Sequence, residues 1–336
     1  MSDTNAAPIA PLLRAAPAAG ALVVATIRAG EHSVACRGTA VDADSRFELG
    51  SVTKTFTGLL LADAVARGEA RLDDPLITYL PPTARPRWSS NITLLHLATH
   101  TSGLPRLPRG SLRTALPAWY SNPYAGYDEK RLFALLGRAR PHARPGTRVS
   151  YSNLGVGLLG HALARAAGQP YPDLVVARLG VPLGLTMTTC DPNGPQVTGY
   201  LRGRPRPPWR MPGLPAAGAL RSTGTDLTRY LAAHLDPTDV RPASLAEALV
   251  QVHRPRLVAP HTDDRLCLVW NLRPRTGHDL LFHGGATRGF TAFVGFSPQA
   301  GVALAALANT AAGPRAPFLQ VAYECLRDLA ATAMAD

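Results

Sequence analysis

Phe47-Glu48-Leu49-Gly50-Ser51-Val52-Thr53-Lys54-Thr55-Phe56 places a serine three residues ahead of a lysine at the head of an apolar run. If Ser51 opens a helix, Lys54 lies one turn further along the same face, and its amine reaches the serine hydroxyl. A serine hydroxyl becomes a useful nucleophile when a neighbouring base takes its proton. Lysine can be that base when burial or a nearby cation lowers its pKa. A helix N-terminus also offers free N–H groups where negative charge would develop. Composition sharpens this reading. Of 35 Lys+Arg only two are lysine, Lys54 and Lys130. Arginine cannot give up its proton in a protein and lysine can, so a lysine kept here suits proton transfer, the plain alternative being a surface lysine on an ordinary helix.

Outward from this stretch, residues 55–66 are apolar almost all round, which predicts a central buried helix, closed by Gly68. Upstream, residues 21–27 and 32–39 read as a strand hairpin. Downstream come short helices over 73–79, 94–99 (capped by Thr93), 128–137, 154–167 and 171–179. Residues 192–218 are rich in Pro, Gly and Arg and read as a long irregular loop, a candidate lid. Helices over 223–234 and 245–253 lead to strands over 265–272, 280–283, 290–296 and 302–307, and to a last helix over 317–334. Strands at both ends and helices between them give an α+β fold, an α/β sandwich. Its antiparallel sheet is built from N- and C-terminal strands flanked by helices, beside a mostly helical lobe. The expected organisation is one domain over 1–336, with 1–58 and 221–336 forming the sheet lobe and 59–220 the helical one.

With 336 residues, 46% hydrophobic and 17% charged, the chain can bury a sizeable core. The formal charge of +12 comes from dispersed arginines without aromatic interleaving, which reads as a solvated surface and not a nucleic-acid site. No run is a membrane span, and Met1-Ser2-Asp3 lacks a basic leader, so a cytoplasmic location is expected. Cys36, Cys190, Cys267 and Cys325 are far apart and read as free thiols in a reducing compartment. His96 and His100 are four apart but lack the glutamate and third ligand of a zinc site, so no metal is expected.

Two other stretches carry chemistry. Tyr151-Ser152-Asn153 follows a Pro-Gly loop and precedes an apolar helix. A phenol near an ammonium can act as general acid or base, and the Asn153 amide can hold a substrate carbonyl and a lysine together. The plain alternative is a packing tyrosine. His283-Gly284-Gly285-Ala286 ends a strand, and its glycines let a ligand approach the backbone, where an N–H can face an oxyanion. The plain alternative there is a hairpin turn.

In this order, Ser51-x-x-Lys54, Tyr151-x-Asn153 and His283-Gly284-Gly285 resemble the three motifs of the penicillin-recognising serine hydrolases. These are the β-lactamase-related group of class C β-lactamases, D-Ala-D-Ala carboxypeptidases, esterases and transacylases. Residues 92–105, 217–223 and 289–298 agree, and the resemblance spans about residues 20 to 330. It implies a β-lactamase/transpeptidase-like fold, with Ser51 forming an acyl-enzyme and Lys54 and Tyr151 sharing the proton work, the base between them left open. It further implies that Asn153 positions the substrate, that the N–H groups of Ser51 and Ala286 form the oxyanion hole, and that no cofactor is needed. One departure stands out. Where many β-lactamases carry Lys-Thr-Gly, this chain has His283-Gly284-Gly285, an imidazole only partly charged near pH 7. That weakens the expected hold on a substrate carboxylate, for which Arg288 is a substitute cation. The expectation is a hydrolase or transacylase for a small ester or amide, with an amine acceptor as a variant. The alternatives are a D-Ala-D-Ala carboxypeptidase or β-lactamase, and a sensor that β-lactams acylate without turnover.

Overall fold

The computed structural model describes residues 9–15, 20–107, 122–259, 262–311 and 317–335. Strands β1 (Leu22–Arg28) and β2 (Glu31–Arg37) make the N-terminal hairpin. Four short strands follow: β3 (Phe47–Glu48), β4 (Gly199–Leu201), β5 (Arg204–Arg206) and β6 (Arg221–Ser222). The C-terminal part supplies β7 (Leu257–Val258), β8 (Arg265–Leu266), β9 (Asn271–Arg275), β10 (His278–Ala286), β11 (Thr291–Ser297) and β12 (Val302–Ala308). The main sheet runs β2-β1-β12-β11-β10-β9-β8-β7, all antiparallel, so the N-terminal hairpin joins the C-terminal strands as expected. Leu22 lies opposite Ala308 and Arg28 opposite Val302, which fixes the register of that closure.

Both faces of this sheet are covered, which is why its central strands read as continuous apolar runs. Val23, Ala25 and Ile27 of β1 face the large core shared with the helical lobe, together with Ala303, Ala305 and Leu307 of β12. Leu22, Val24, Leu304 and Ala306 face the other way, under helices α1 (Ala10–Ala15) and α9 (Phe318–Ala335). The interior helix α2 (Thr53–Ala66) is buried from Thr53 through Ala64. Around it lie α3 (Leu94–Ala98), α4 (Glu129–Leu136), α5 (Asn153–Ala166), α6 (Tyr171–Val175), α7 (Gly224–Leu235) and α8 (Ala243–Gln251). The carboxylate of Asp63, fully buried on α2, accepts from Arg67 Nε at 2.8 Å, Arg178 Nη1 at 3.3 Å and Ser244 Oγ at 2.8 Å. It thereby ties α2 to the extension of α6 and to α8. Among the described residues no helix is long and apolar enough to cross a membrane.

Several expectations shift. The strand over 265–272 is broken: after Leu266 the chain turns, with Cys267 N–H donating to Trp270 O and Val269 at φ +73°, before β9 resumes. Burial of Cys267 and Trp270 in the core holds that turn inward. The helix over 73–79 shrinks to one tight turn, Leu76–Thr78, after the extended Pro75. The helix begun at Tyr171 continues through a wide turn, Val176–Gly180, to Leu183. Helix α1, absent from the sequence reading, docks its Leu12 against α9. The loop over 192–218 contains the β4–β5 hairpin and is pinned to the sheet, since Tyr200 N–H donates to both Gly289 O and Asn309 O. It is a strap rather than a free flap.

Candidate active site

Ser51 sits in a tight 3-10 turn, Gly50–Val52, that runs straight into α2. Lys54 follows one turn later with its side chain fully buried, and its Nζ lies 2.9 Å from Ser51 Oγ. Nζ also donates to Ala217 O at 2.6 Å. From the other side the Tyr151 hydroxyl lies 2.5 Å from the same Ser51 Oγ. Tyr151 is placed by the N-terminus of α5, where Ser152 is the N-cap and its hydroxyl accepts from Gly155 N–H. Ser152 Oγ in turn donates to Pro105 O, and Leu154 N–H donates to Arg106 O. The segments over 100–106 and 142–154 are therefore fastened together along their length. Sequence motifs a hundred residues apart converge on one oxygen atom.

Charge follows from burial. Desolvation, aided by the Arg106 guanidinium, pushes the Lys54 ammonium well below its usual value, so the amine tends to be neutral. Burial raises the Tyr151 phenol, partly opposed by its bond to Ser51 and by Arg106, so it keeps its proton. Two histidines complete the surroundings. His100 is pushed down to about 3 by burial, then by Lys54 and His283, and stacks against the Tyr151 ring at 4.5 Å. His283 is likewise pushed down to about 3, first by burial and then by Lys54, and its Nδ1 lies 2.8 Å from Gly284 O. The sequence reading gave His283 a partial charge near neutral pH; with a side chain only 5% exposed, it is neutral there.

Glycines allow the backbone of β10 to approach Ser51. A Cβ at Gly285 would overlap Leu49 O and sit 2.9 Å from Ser51 N. Gly50, at φ +50°, could hold a Cβ only 2.6 Å from Ala286 O. The Ser51 turn and the end of β10 thus lie backbone against backbone, with Ala286 beside the turn, the placement an oxyanion hole needs.

The fold brings Ser51, Lys54, Tyr151, His283, Gly285 and Ala286 together, turns the Asn153 amide to Tyr124 instead of to Lys54, and adds residues the sequence reading missed. Asn153 Nδ2 donates to the Tyr124 hydroxyl at 2.8 Å, while its buried Oδ1 has no hydrogen-bond partner among the described residues. Tyr124 packs edge-on against Trp209. Trp209 N–H donates to Glu48 Oε1 at 2.6 Å, and Glu48 Oε2 accepts from Thr287 Oγ1 at 2.7 Å. Arg221, also buried, donates to Trp209 O and lies 3.7 Å from Glu48 Oε1. Glu48 therefore couples the strand before Ser51 to the strap and to the turn after β10. It lay within the opening stretch, yet no spacing rule marked it. Arg106 leans over the Tyr151 ring at 5.7 Å and carried no sequence signal either. His96 has a structural task, since Nδ1 accepts from Thr93 N–H while its own N–H reaches Thr93 Oγ1, a capping box at α3. Among the described residues no group of three His, Cys, Asp or Glu could hold a metal ion.

Comparison with known proteins gives the family. The β-lactamase family model matches residues 9–323. The chain is 31% identical to the D-alanyl-D-alanine-carboxypeptidase/endopeptidase AmpH of Escherichia coli strain K12, over 76% of this chain and 69% of that protein. It is 27% identical to a β-lactamase of the same strain, over 78% of this chain and 75% of the relative. It is 28% identical to a β-lactamase of Pseudomonas fluorescens, over 90% and 91%. The chain belongs to the β-lactamase family of serine hydrolases.

Proposed function

We propose that the protein is a serine hydrolase or transacylase that forms an acyl-enzyme on Ser51 from a small ester or amide. The observation that carries this is the position of Ser51 Oγ between Lys54 Nζ at 2.9 Å and the Tyr151 hydroxyl at 2.5 Å. Lys54 is the base. One N–H of its neutral amine goes to Ala217 O, which leaves the lone pair for the serine proton. Ser51 Oγ attacks the carbonyl carbon, and the resulting oxyanion sits against the N–H groups of Ser51 and Ala286, about 3 kcal/mol for each well-placed donor. Tyr151 gives its proton to the leaving oxygen or nitrogen and recovers one from the Lys54 ammonium. Water, or an amine where water is excluded, then repeats the sequence in reverse. The buried acceptor Asn153 Oδ1 is left for a donor on the substrate. The four cysteines are unpaired, in keeping with the cytoplasmic setting we propose.

The names of the relatives favour a second reading, peptide or β-lactam chemistry. Against efficient penicillin hydrolysis stands the neutral His283 in place of a fixed cation. Turnover of p-nitrophenyl acetate and of a penicillin, measured side by side, separates the two. Ser51-dependent ester turnover with little penicillin cleavage supports the first reading. Rapid penicillin cleavage, or a long-lived penicillin adduct, replaces it with the second.

A further inference from the structure

Of the basic side chains around Ser51, Lys54, His100 and His283 lack a dependable charge. Lys54 is buried and held toward the neutral amine, and His283 is buried and neutral near pH 7. Arg106 is different. It is solvent-exposed at the mouth of the site, and a guanidinium keeps its charge at any working pH. Its guanidinium carbon is 5.7 Å from the centre of the Tyr151 ring. It is also near enough to the Tyr124 phenol to pull that group down against the dominant effect of burial. Tyr124 in turn holds the Asn153 amide. The backbone of Arg106 is fixed by the same hydrogen bonds that place Tyr151, through Leu154 N–H to Arg106 O and Ser152 Oγ to Pro105 O. Among the described residues no carboxylate forms a salt bridge with it, and the adjoining stretch 108–121 contains neither Asp nor Glu. A permanent cation without a carboxylate partner, fastened beside the general acid, suits an anion that arrives with the substrate.

We propose that Arg106 is the specificity-determining residue of this site and binds a carboxylate carried by the substrate, the task that His283 does not perform. This rests on the acyl-enzyme reading above. It makes the preferred substrate an anionic ester or amide. The planar fork of arginine matches a carboxylate with two parallel hydrogen bonds, which lysine does not reproduce.

The test compares three chromogenic esters: p-nitrophenyl valerate; the p-nitrophenyl half-ester of glutaric acid, which is the same size with a carboxylate on the acyl chain; and the valerate ester of 5-hydroxy-2-nitrobenzoate, with the carboxylate on the leaving group. In Arg106→Gln, kcat/KM for at least one anionic ester falls roughly tenfold relative to that for the neutral ester, the usual size of a hydrogen-bonded charge contact, a ratio that cancels any change both esters share through Lys54. Arg106→Lys falls between. A binding arm needs no turnover. Calorimetry on Ser51→Ala compares glutarate with valerate, and 5-hydroxy-2-nitrobenzoate with 4-nitrophenol at pH 6, with and without Arg106→Gln. An anion preference that disappears with Arg106 supports the proposal. No preference for either anion, a preference that survives Arg106→Gln, or one that disappears instead in Arg288→Gln overturns it. Failure of the wild-type protein to turn over any ester counts against the acyl-enzyme reading alone, because the binding arm still reports on Arg106.

Discussion

Lys54→Arg separates charge from proton transfer at the nucleophile. Arginine keeps a cation near Ser51 but cannot accept the serine proton. Ester kcat/KM should fall by roughly 10²- to 10⁴-fold, the usual worth of a positioned base. A variant retaining most of its activity would move the base elsewhere. The pH profile of the wild type reads the same group. Only the neutral amine accepts a proton, and burial with Arg106 lowers the Lys54 pKa, so activity rises with pH through a value well below the usual lysine range. The Tyr151 phenol, raised by burial, keeps its proton over that range, so no loss from its ionisation should interrupt the rise. An acid limb that titrates near pH 10 would contradict this charge assignment.

Elements hold these residues through backbone contacts that one added carbon can disturb. Gly285→Ala puts a Cβ into Leu49 O and against the Ser51 amide, forcing β10 away from the nucleophile turn. Ester kcat should drop by about 10²-fold or more, the worth of an oxyanion donor, with a clear loss of thermal stability. Unchanged kinetics would mean that the two backbones do not cooperate. Asp63→Ala acts away from the chemistry. It removes the buried carboxylate that joins α2 to Arg178 and Ser244, and should cost about 2 kcal/mol in urea denaturation, as buried polar groups left unpaired do. Much of this level was legible in the sequence. The all-apolar 55–66 gave the interior helix, Thr93 caps α3, and residues 21–27 hold a buried strand. Tyr124, Trp209 and Arg106 were not legible. They reach the site through long-range contacts, and no local period or spacing marks a residue that meets its partner only after folding.

Among the described residues, desolvation pushes the pKa values of five histidines down, His96 and four others. His100 and His283 fall to about 3 and His253 to about 4, and His234, bonded to His253 at 2.8 Å, falls well below the ordinary value. An unfolded histidine binds a proton near pH 6.5. Between that pH and the folded values, the unfolded chain therefore carries more protons, and stability declines as pH falls. The urea midpoint should be highest above about pH 6.5 and drop steadily toward pH 4; a flat profile would show that these histidines are solvated. The joining of the N-terminal hairpin to the C-terminal strands followed from the order of strands and helices, as did the helical middle. The break between β8 and β9 did not, because the turn there is held by burial of Cys267 and Trp270 in the core.

The central claim is that Ser51 becomes acylated, and intact mass measured after treatment with a fluorophosphonate tests it most directly. The wild-type protein should gain one phosphonyl group, and Ser51→Ala, folded by circular dichroism, should gain none. Equal labelling of both proteins, or no labelling of the wild type, would contradict the account.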